Sequence, residues 1–284
     1  MPQIVPPDQG RVESRALQAW HNVFKPTWET LVGLGYAGGA STHTYDMDIV
    51  GLDSVDGEVS FFGNGFAAPA MQPWPDGGTA TYYAVSDSAS DTCDLYVHGL
   101  GSDGLTKTDT VTLTGTTPVN LGTYKHINAV LCLNGSDRNV GNIFVSEDST
   151  AVPTDIVADN IHIICPPGWG KAVNPTMMAA TDEVMVFPEI NISADRSDGA
   201  EIVIYKSLPD GTVFRVTKWY LFQSAYQNKF GVPIVLQPGE FIRLTIERSA
   251  SGTGSINAAC DLRHYGLTDS ALPNTAGVSV LLGG

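Results

Sequence analysis

Regular alternation of apolar and polar residues from Asp198 to Gly266 constrains this chain more than any other feature. The segments AEIVIYKS, TVFRVTKWYLFQ, VPIVLQ and FIRLTIER each alternate as half-buried strands do. They are separated by polar loops and by LPDG and QPGE, where Pro, Gly and Asp suit tight turns. The pattern predicts a meander of antiparallel strands.

The segment FIRLTIER shows most clearly what this alternation implies. Successive side chains of a strand point to opposite faces, so one face is apolar and the other polar. The apolar set is Ile242, Leu244 and Ile246, and the polar set is Arg243, Thr245 and Glu247. We expect the polar face to be solvated.

Similar short runs fill the region from Tyr45 to about Ser146, including a strand predicted at 80–85. They resume at Ile161–Cys165 and Glu183–Ser193, on either side of the linker-like PPGWGKAVNP. The 30 Gly and 17 Pro residues suit many short strands and tight turns. A parallel sheet would need crossover connections of a dozen or more residues, usually helices, and no such pattern follows these runs. We predict an all-β fold of two tandem antiparallel β-sandwich modules, jelly-roll-like, with an N-terminal helical arm.

Three domains follow from this interpretation. Residues 1–39 form the arm, residues 40–150 the first sandwich, and residues 151–284 the second sandwich with a short C-terminal tail. The boundary falls within Ser149–Asp159, where alternation stops and Pro153 occurs. Both halves contain a strand, a short turn with Gly and a second strand, which is consistent with an internal duplication.

The arm is predicted from apolar residues recurring at helical spacing between Pro7 and Thr30. Asp8 is a candidate N-cap, and Pro26 a candidate stop. Its aromatic stripe consists of Trp20, Phe24 and Trp28. Two interpretations stay open: the stripe packs on its own domain, or it docks on a neighbouring subunit.

Charge and terminal sequence exclude several partners. The chain has 30 acidic and 15 basic residues, a net charge of −15, whereas nucleic-acid binders concentrate Lys and Arg. The start MPQIVPPDQGRVESR lacks the basic tip and apolar run of a signal peptide. No segment approaches about eighteen consecutive apolar residues. We expect the protein to have no nucleic-acid partner and no membrane partner. We also expect it to be synthesised in a cytoplasm.

Reactive side chains form no recognisable catalytic pattern. HExxH, GxSxG and GxxxxGK[ST] do not occur, and His98 and His162 lie in apolar runs typical of structural histidines. The four cysteines have no CxxC spacing, so we expect no zinc site. We expect their thiols to be reduced. They are Cys93, Cys132, Cys165 and Cys260. We predict that the protein is not an enzyme and has no catalytic residues, no cofactor and no metal.

Two acidic loops leave an alternative open. Their carboxylates can serve Ca²⁺ or can simply form turns, although neither loop has the pattern of a dedicated calcium loop. The first loop contains Asp87, Asp91 and Asp94, and the second contains Asp195, Asp198 and Glu201.

Aromatic residues in loops are the candidate contact residues. Trp74 in MQPWPDGG and Trp169 in PPGWGK lie among Pro and Gly, and Phe66 lies in the same irregular region as Trp74. Such rings can stack on a sugar, insert into a partner or anchor their own loop.

Two short sequence motifs resemble those of virion structural proteins of tailed bacteriophages. The residues that carry the resemblance are Gly141, Asn142 and Ile143, then Pro238, Gly239, Glu240, Ile242 and Arg243. The resemblance spans most of residues 80–266. It implies a capsid decoration (cement) protein, or a tail or neck component, acting as a homotrimer or another symmetric homo-oligomer. The implied partners are the major capsid protein or other virion proteins. The implied location is the virion, after assembly in the host cytoplasm.

The sequence therefore predicts a non-enzymatic virion structural protein that binds and stabilises a particle shell as an oligomer. The alternative is a tail or fibre adhesion module that binds host-surface carbohydrate. The expected contact residues are Trp20, Phe24, Trp28, Phe66, Trp74 and Trp169.

Overall fold

A computed structural model describes most of the chain between residues 41 and 268. The described ranges are 41–52, 57–60, 70–133, 139–149, 152–194, 200–208, 211–221, 225–248 and 256–268. The chain divides into two units, Met1–Thr42 with Tyr265–Gly284, and His43–His264. In the first unit, only the ends of two strands fall in the described ranges. The predicted arm at residues 1–39 lies outside them.

Strands are the only regular elements in the described residues. In chain order they are β1 (Ser41–Leu52), β2 (Glu58–Ser60), β3 (Ala80–Ser86), β4 (Asp94–Leu100), β5 (Thr106–Thr112), β6 (Val119–Tyr124), β7 (His126–Cys132), β8 (Ile143–Ser146), β9 (Ile161–Cys165), β10 (Lys171–Val173), β11 (Thr176–Met178), β12 (Glu183–Ala194), β13 (Ala200–Ser207), β14 (Val213–Leu221), β15 (Ala225–Leu236), β16 (Phe241–Arg248) and β17 (Ile256–Thr268). The all-β prediction is confirmed. No helix in these ranges has the length and apolar character needed to cross a bilayer.

Strands β3 to β10 form two four-stranded antiparallel sheets. Their orders are β6-β3-β8-β9 and β10-β7-β4-β5. One apolar cluster takes buried residues from both sheets, for example Ala84 and Val145 from the first and Leu95 and Val130 from the second. Pairing of β8 with β9 and of β7 with β10 runs across the predicted boundary at residues 150 and 151.

The remaining strands form two further sheets. One has the order β1-β17-β12-β15, and the other has the order β11-β16-β13-β14. Strand β16 pairs with β13 along one edge, and β11 and β2 share its other edge. The tandem arrangement of two sandwiches stays a prediction, as do the domain boundaries.

Two of the three polar residues of β16 are not solvated, so the expectation for FIRLTIER is wrong at Arg243 and Thr245, while Glu247 is partly exposed. Arg243 and Thr245 are both 0% exposed. Polar groups from other segments cover this face, since Arg243 bonds to the segment before β3, and Thr245 donates its hydroxyl to Glu58 of β2. Alternation correctly separated the two faces, but it could not show that one of them is covered by distant parts of the chain.

Strand positions follow the alternation closely elsewhere. Strand β9 has the predicted bounds Ile161–Cys165, and β13 contains the predicted AEIVIYKS. Strand β10, Lys171–Val173, lies in the segment interpreted from sequence as linker-like. Its three residues are too few to show a period of two.

Replacement of Gly99 by Ala tests the close pairing of β4 with β7. A Cβ at this position would overlap the carbonyl oxygen of His126 and lie 2.8 Å from the Cα of Ile127. Because both neighbours are backbone atoms, we expect Gly99→Ala to lower the free energy of unfolding by at least about 2 kcal/mol.

The control is Gly78→Ala, where a Cβ would meet only the end of the Asp76 side chain. We expect that change to stay within about 0.5 kcal/mol. Both free energies are measured by urea denaturation, and equal effects would contradict the assignment of Gly99.

Candidate functional site: the Trp74 loop and its buried arginine

The segment 70–78 forms an irregular loop before β3, and its sequence explains why. Pro73 and Pro75 have no backbone N–H to donate to a sheet. The loop then turns at Asp76, whose Oδ1 accepts a hydrogen bond of 2.7 Å from the amide of Gly78. We call residues 70–78 the Trp74 loop.

Arg243 holds this loop from beneath. Its Nη1 donates to the carbonyl oxygen of Gln72 at 2.7 Å, and its Nη2 donates to that of Pro73 at 2.6 Å. Its Nε donates to the hydroxyl oxygen of Thr176 at 2.6 Å. The planar guanidinium presents donors in a rigid fork, which lets one side chain fix two successive carbonyl groups. Arg243 therefore sets the backbone conformation on which Trp74 is presented.

This guanidinium is buried without a carboxylate partner in the described residues. Burial alone lowers the pKa of Arg243 to about 9, so the group still carries its charge at neutral pH. Charge-assisted hydrogen bonds to neutral oxygens offset part of the desolvation cost. The structure thus keeps a costly cation at this position, and its visible role is to organise the loop.

Trp74 lies directly over the buried cation. The guanidinium carbon of Arg243 is 3.8 Å from the centroid of the indole, a cation–π geometry. Tyr205 of β13 meets the ring edge-on at 5.6 Å between centroids, and Phe241 of β16 lies at 5.8 Å. Even so, Trp74 is 41% exposed. The loop therefore displays a large aromatic surface in a fixed orientation.

A buried chain of polar groups continues from the loop towards β9. Gln72 is buried, and its amide N–H donates to the hydroxyl of Ser60 at 2.9 Å. Its side chain accepts from the hydroxyl of Thr176 and lies 3.2 Å from Nδ1 of His162. Nε2 of His162 lies 3.1 Å from a carboxylate oxygen of Glu147. Every bond is satisfied when Gln72 donates to Nδ1 and His162 donates from Nε2.

His126 of β7 joins the same chain through Thr176. Its Nε2 lies 2.7 Å from the carbonyl oxygen of Thr176, to which it donates. Burial is the largest influence on this imidazole and lowers its pKa to about 3, although the bond to Thr176 acts the other way. The ring is therefore neutral, and Thr176 connects β7, β16 and the Trp74 loop.

Asn128 fastens β7 to β11 beside this chain. Its side chain donates to the carbonyl oxygen of Met178 and accepts from the amide of the same residue, both at 2.9 Å. One asparagine thus replaces a pair of ladder hydrogen bonds where two strands meet without being sheet neighbours. The Trp74 loop is consequently supported by several strands.

The other predicted contact residues have different fates. Trp169 is partly buried against the core cluster of strands β3 to β10. Trp20, Phe24, Trp28 and Phe66 lie outside the described residues. Arg243 was interpreted from sequence as solvent-facing. Two features of the sequence could have indicated that Arg243 is buried. One is its position in the middle of an apolar strand, and the other is a distant Trp between two prolines.

The first acidic loop uses its carboxylates within the protein. Asp91 is buried and accepts hydrogen bonds from the hydroxyl of Ser86 and from the amides of Val140 and Gly141. Asp87 accepts from the backbone and side-chain amides of Asn142. These bonds support the turn-forming interpretation for both residues.

The described residues contain no cluster of three His, Cys, Asp or Glu side chains placed to hold a metal ion. In the second acidic loop, Asp195 and Asp198 lie outside the described ranges. What the described loop presents to solvent is the partly exposed indole of Trp74.

Comparison with known proteins adds little to this geometry. No family model matches the chain, and no curated protein matches it. Among solved structures it is similar to that of infectious bursal disease virus Gt strain, with 12% identity, 82% of this chain and 73% of that chain covered, and a TM-score of 0.24. It is also similar to the infectious bursal disease virus VP2 subviral particle, with 10% identity, 82% of this chain and 73% of that chain covered, and a TM-score of 0.23. Murine APRIL has 8% identity, with 64% of this chain and 98% of that chain covered, and a TM-score of 0.17. TM-scores of this size carry no argument about fold or function.

Replacement of Arg243 by Met tests the support of the loop. The variant keeps an apolar stem but leaves the carbonyl oxygens of Gln72 and Pro73 without their donors, so we expect a loss of about 3 kcal/mol in the free energy of unfolding. Urea denaturation measures the loss. Acrylamide quenching of tryptophan fluorescence should increase as Trp74 is released.

The matched control is Arg215→Met on the exposed part of β14. We expect it to change the free energy of unfolding by less than about 0.5 kcal/mol and to leave quenching unchanged. An Arg243 variant as stable as this control would contradict a supporting role for the buried arginine.

Replacement of His126 by Gln tests the burial of its neutral ring by pH dependence. Below about pH 6.5 the unfolded chain binds a proton on this imidazole, whereas the folded chain does so only near pH 3. Acid therefore favours unfolding, and His126 should contribute a loss of about 2 kcal/mol between pH 7 and pH 5.

Gln keeps a donor for the carbonyl oxygen of Thr176 but does not titrate, so His126→Gln should lose less stability over this interval than the wild type does. Glu183, whose pKa burial raises to about 7, acts in the opposite direction in both proteins and cancels in the comparison. Equal losses in the two proteins, measured by urea denaturation at each pH, would refute the assignment.

Proposed function

We propose that this chain is a non-enzymatic virion structural protein, specifically a capsid decoration or cement protein that binds and stabilises a particle shell as a symmetric oligomer. The observation that carries the proposal is the Trp74 loop. Trp74 is 41% exposed and yet is held by Arg243, Tyr205 and Phe241. A large aromatic residue that is ordered before binding loses little conformational entropy at an interface, which is typical of an interface anchor.

A second exposed apolar surface supports association with other chains. Strand β14 is at one end of its sheet order, and both of its faces are exposed near the turn from β13. The apolar residues there are 36–42% exposed: Leu208, Val213, Phe214 and Val216. Edge strands with exposed apolar side chains readily pair with or pack against another chain.

The resemblance to tailed-phage virion proteins supports the same class. The motif formed by Gly141, Asn142 and Ile143 lies where Asp91 and Asp87 bind successive amides. In the second motif, Glu240 accepts from Lys206 at 2.7 Å and Arg243 supports the Trp74 loop. Both motifs therefore have structural roles in this chain.

A tail or fibre adhesion module is the second candidate function. The observation that favours it is the placement of the exposed Trp74 between two prolines, two residues before the acidic Asp76. An indole face beside hydrogen-bonding groups can stack on a pyranose ring. Glycan retention by the purified protein, lost in Trp74→Ala, would favour this candidate over shell binding.

Particle binding tests the cement proposal directly. Trp74→Ala should weaken binding to particles of the virus that carries the chain by about tenfold or more, because a central aromatic anchor contributes about 2 kcal/mol or more. Co-sedimentation measures binding, and heating of bound and bare particles measures protection of the shell.

Leu105→Ala is the matched control, since Leu105 is 45% exposed and belongs to a different loop, the turn before β5. It should bind as the wild type does. Wild-type protein that neither binds particles nor protects them from heat would overturn the cement proposal.

Removal of residues 1–39 tests the proposed grip of the arm on a neighbouring subunit. We expect the shortened protein to keep its β-sheet circular dichroism but to lose oligomerisation or particle docking. Light scattering reports the mass of both proteins. Unchanged mass and unchanged particle binding after the truncation would contradict a role for the arm in assembly.

A further inference from the structure

Cys93 and Cys132 bring two thiols into contact at one end of the paired strands β4 and β7. Both are free thiols in the structure, and their Sγ atoms are 2.8 Å apart. Non-bonded carbon atoms rest at roughly 3.5–4.0 Å, and a covalent S–S bond is about 2.05 Å long. An approach of less than about 1 Å therefore separates this contact from a bond.

The backbone holds the two sulfurs on the same side of the sheet. Cys132 pairs with Leu95, and Cys93 lies two residues before Leu95. Residues two apart on a strand share a face, as do residues directly opposite each other. Beside the pair, the amide of Leu133 donates to the carbonyl oxygen of Asp94 at 2.8 Å. The thiols thus face each other because of the strand register.

A third thiol lies near Cys132 but is directed elsewhere. Cys165 of β9 is buried, and its Sγ lies 3.7 Å from the side-chain oxygen of Asn139 and 3.9 Å from the carbonyl oxygen of Pro166. Asn139 is fixed in turn by bonds from its amide to three carbonyl oxygens. Cys93, whose Sγ lies 2.8 Å from that of Cys132, is the thiol placed to react with it.

We infer that Cys93 and Cys132 form a modification site, at which a small-molecule disulfide such as oxidised glutathione converts the two thiols into an intramolecular cross-link. This inference does not depend on the proposed function. In the structure both thiols are free, and the inference concerns what an oxidant does to them.

The reaction proceeds by two exchanges. The Cys93 thiolate attacks one sulfur of oxidised glutathione, forms a mixed disulfide and releases one glutathione thiol. Cys132 then gives up its proton to solvent, and its thiolate attacks the Cys93 sulfur and releases the second glutathione. The two protein thiols lose two electrons and two protons, and one glutathione disulfide is reduced to two thiols.

Cys93 is expected to be the first nucleophile. Burial, with a smaller contribution from Cys93 itself, raises the pKa of Cys132 well above its usual value, so Cys132 is protonated while Cys93 makes the first exchange. Because the thiolate is the reactive form, cross-linking should accelerate as pH rises above 7.

Oxidation should stabilise the strands that it joins. The two cysteines are 39 positions apart, and the closed loop contains β4, β5, β6 and β7. Closing a loop of this length in the unfolded chain should raise the thermal midpoint by about 5–10 °C.

The experiment treats the full-length folded protein with oxidised glutathione and, in parallel, with reduced glutathione. Each sample is then denatured, alkylated and cleaved after Lys and Arg. This cleavage places three of the cysteines on different peptides. Cys93 is on the peptide that ends at Lys107, Cys132 is on residues 126–138, and Cys165 is on residues 139–171. We expect a linked pair of the first two peptides in the oxidised sample, with two fewer alkylated thiols and the higher thermal midpoint.

Cys93→Ser is the control variant, because the side chain is only partly buried and Ser is of similar size. In this variant oxidised glutathione should produce neither the linked peptides nor the shift in midpoint. If the variant does not fold, peptide mapping of the wild type still decides the question. Four alkylated thiols after oxidation, glutathione adducts without a link, or a link to the Cys165 peptide would each overturn the inference.

Discussion

The burial of one guanidinium, that of Arg243, is the interaction on which the described site depends. A fully buried cation with no carboxylate beside it in the described part of the chain is costly, and here its partners are two loop carbonyl groups and one threonine hydroxyl. The loop carbonyl groups also depend on the cation, because a buried carbonyl oxygen without a hydrogen-bond donor has an uncompensated desolvation cost. The loop conformation and the ionised arginine therefore stabilise each other.

Around this cation, polar side chains add bonds between strands to those of the backbone ladders, and one of these bonds joins β7 to β11, which are not sheet neighbours. Thr176 accepts from Arg243 through its hydroxyl and from His126 through its carbonyl group. Glu58 of β2 accepts from Thr245 of β16 and from Tyr205 of β13. A network in which each member has its partner specifies one arrangement of strands, whereas apolar packing alone tolerates several. The partly exposed indole of Trp74 is held in one orientation by this network.

Sequence patterns predicted the all-β class and many strand positions, since β-branched alternation is a local property that β9 and β13 display clearly. They could not show which strands pair, because pairing of β8 with β9 depends on distant segments. Trp74 was found because a ring among prolines and glycines is conspicuous. Arg243 was missed for the opposite reason: a polar residue in an alternating strand indicates solvent unless the covering loop is known.

The shared edge of β16 also affects how the protein is made. Strand β2 pairs only with residues 245–247 among the described strands, and these emerge from the ribosome roughly 190 residues later. At typical rates of synthesis, Glu58–Ser60 wait about 10–40 s for their partner. A nascent chain with such a wait exposes an unpaired early strand to other chains and to chaperones. Translation speed between residues 60 and 248 is therefore expected to influence how much of the protein reaches its native sheets.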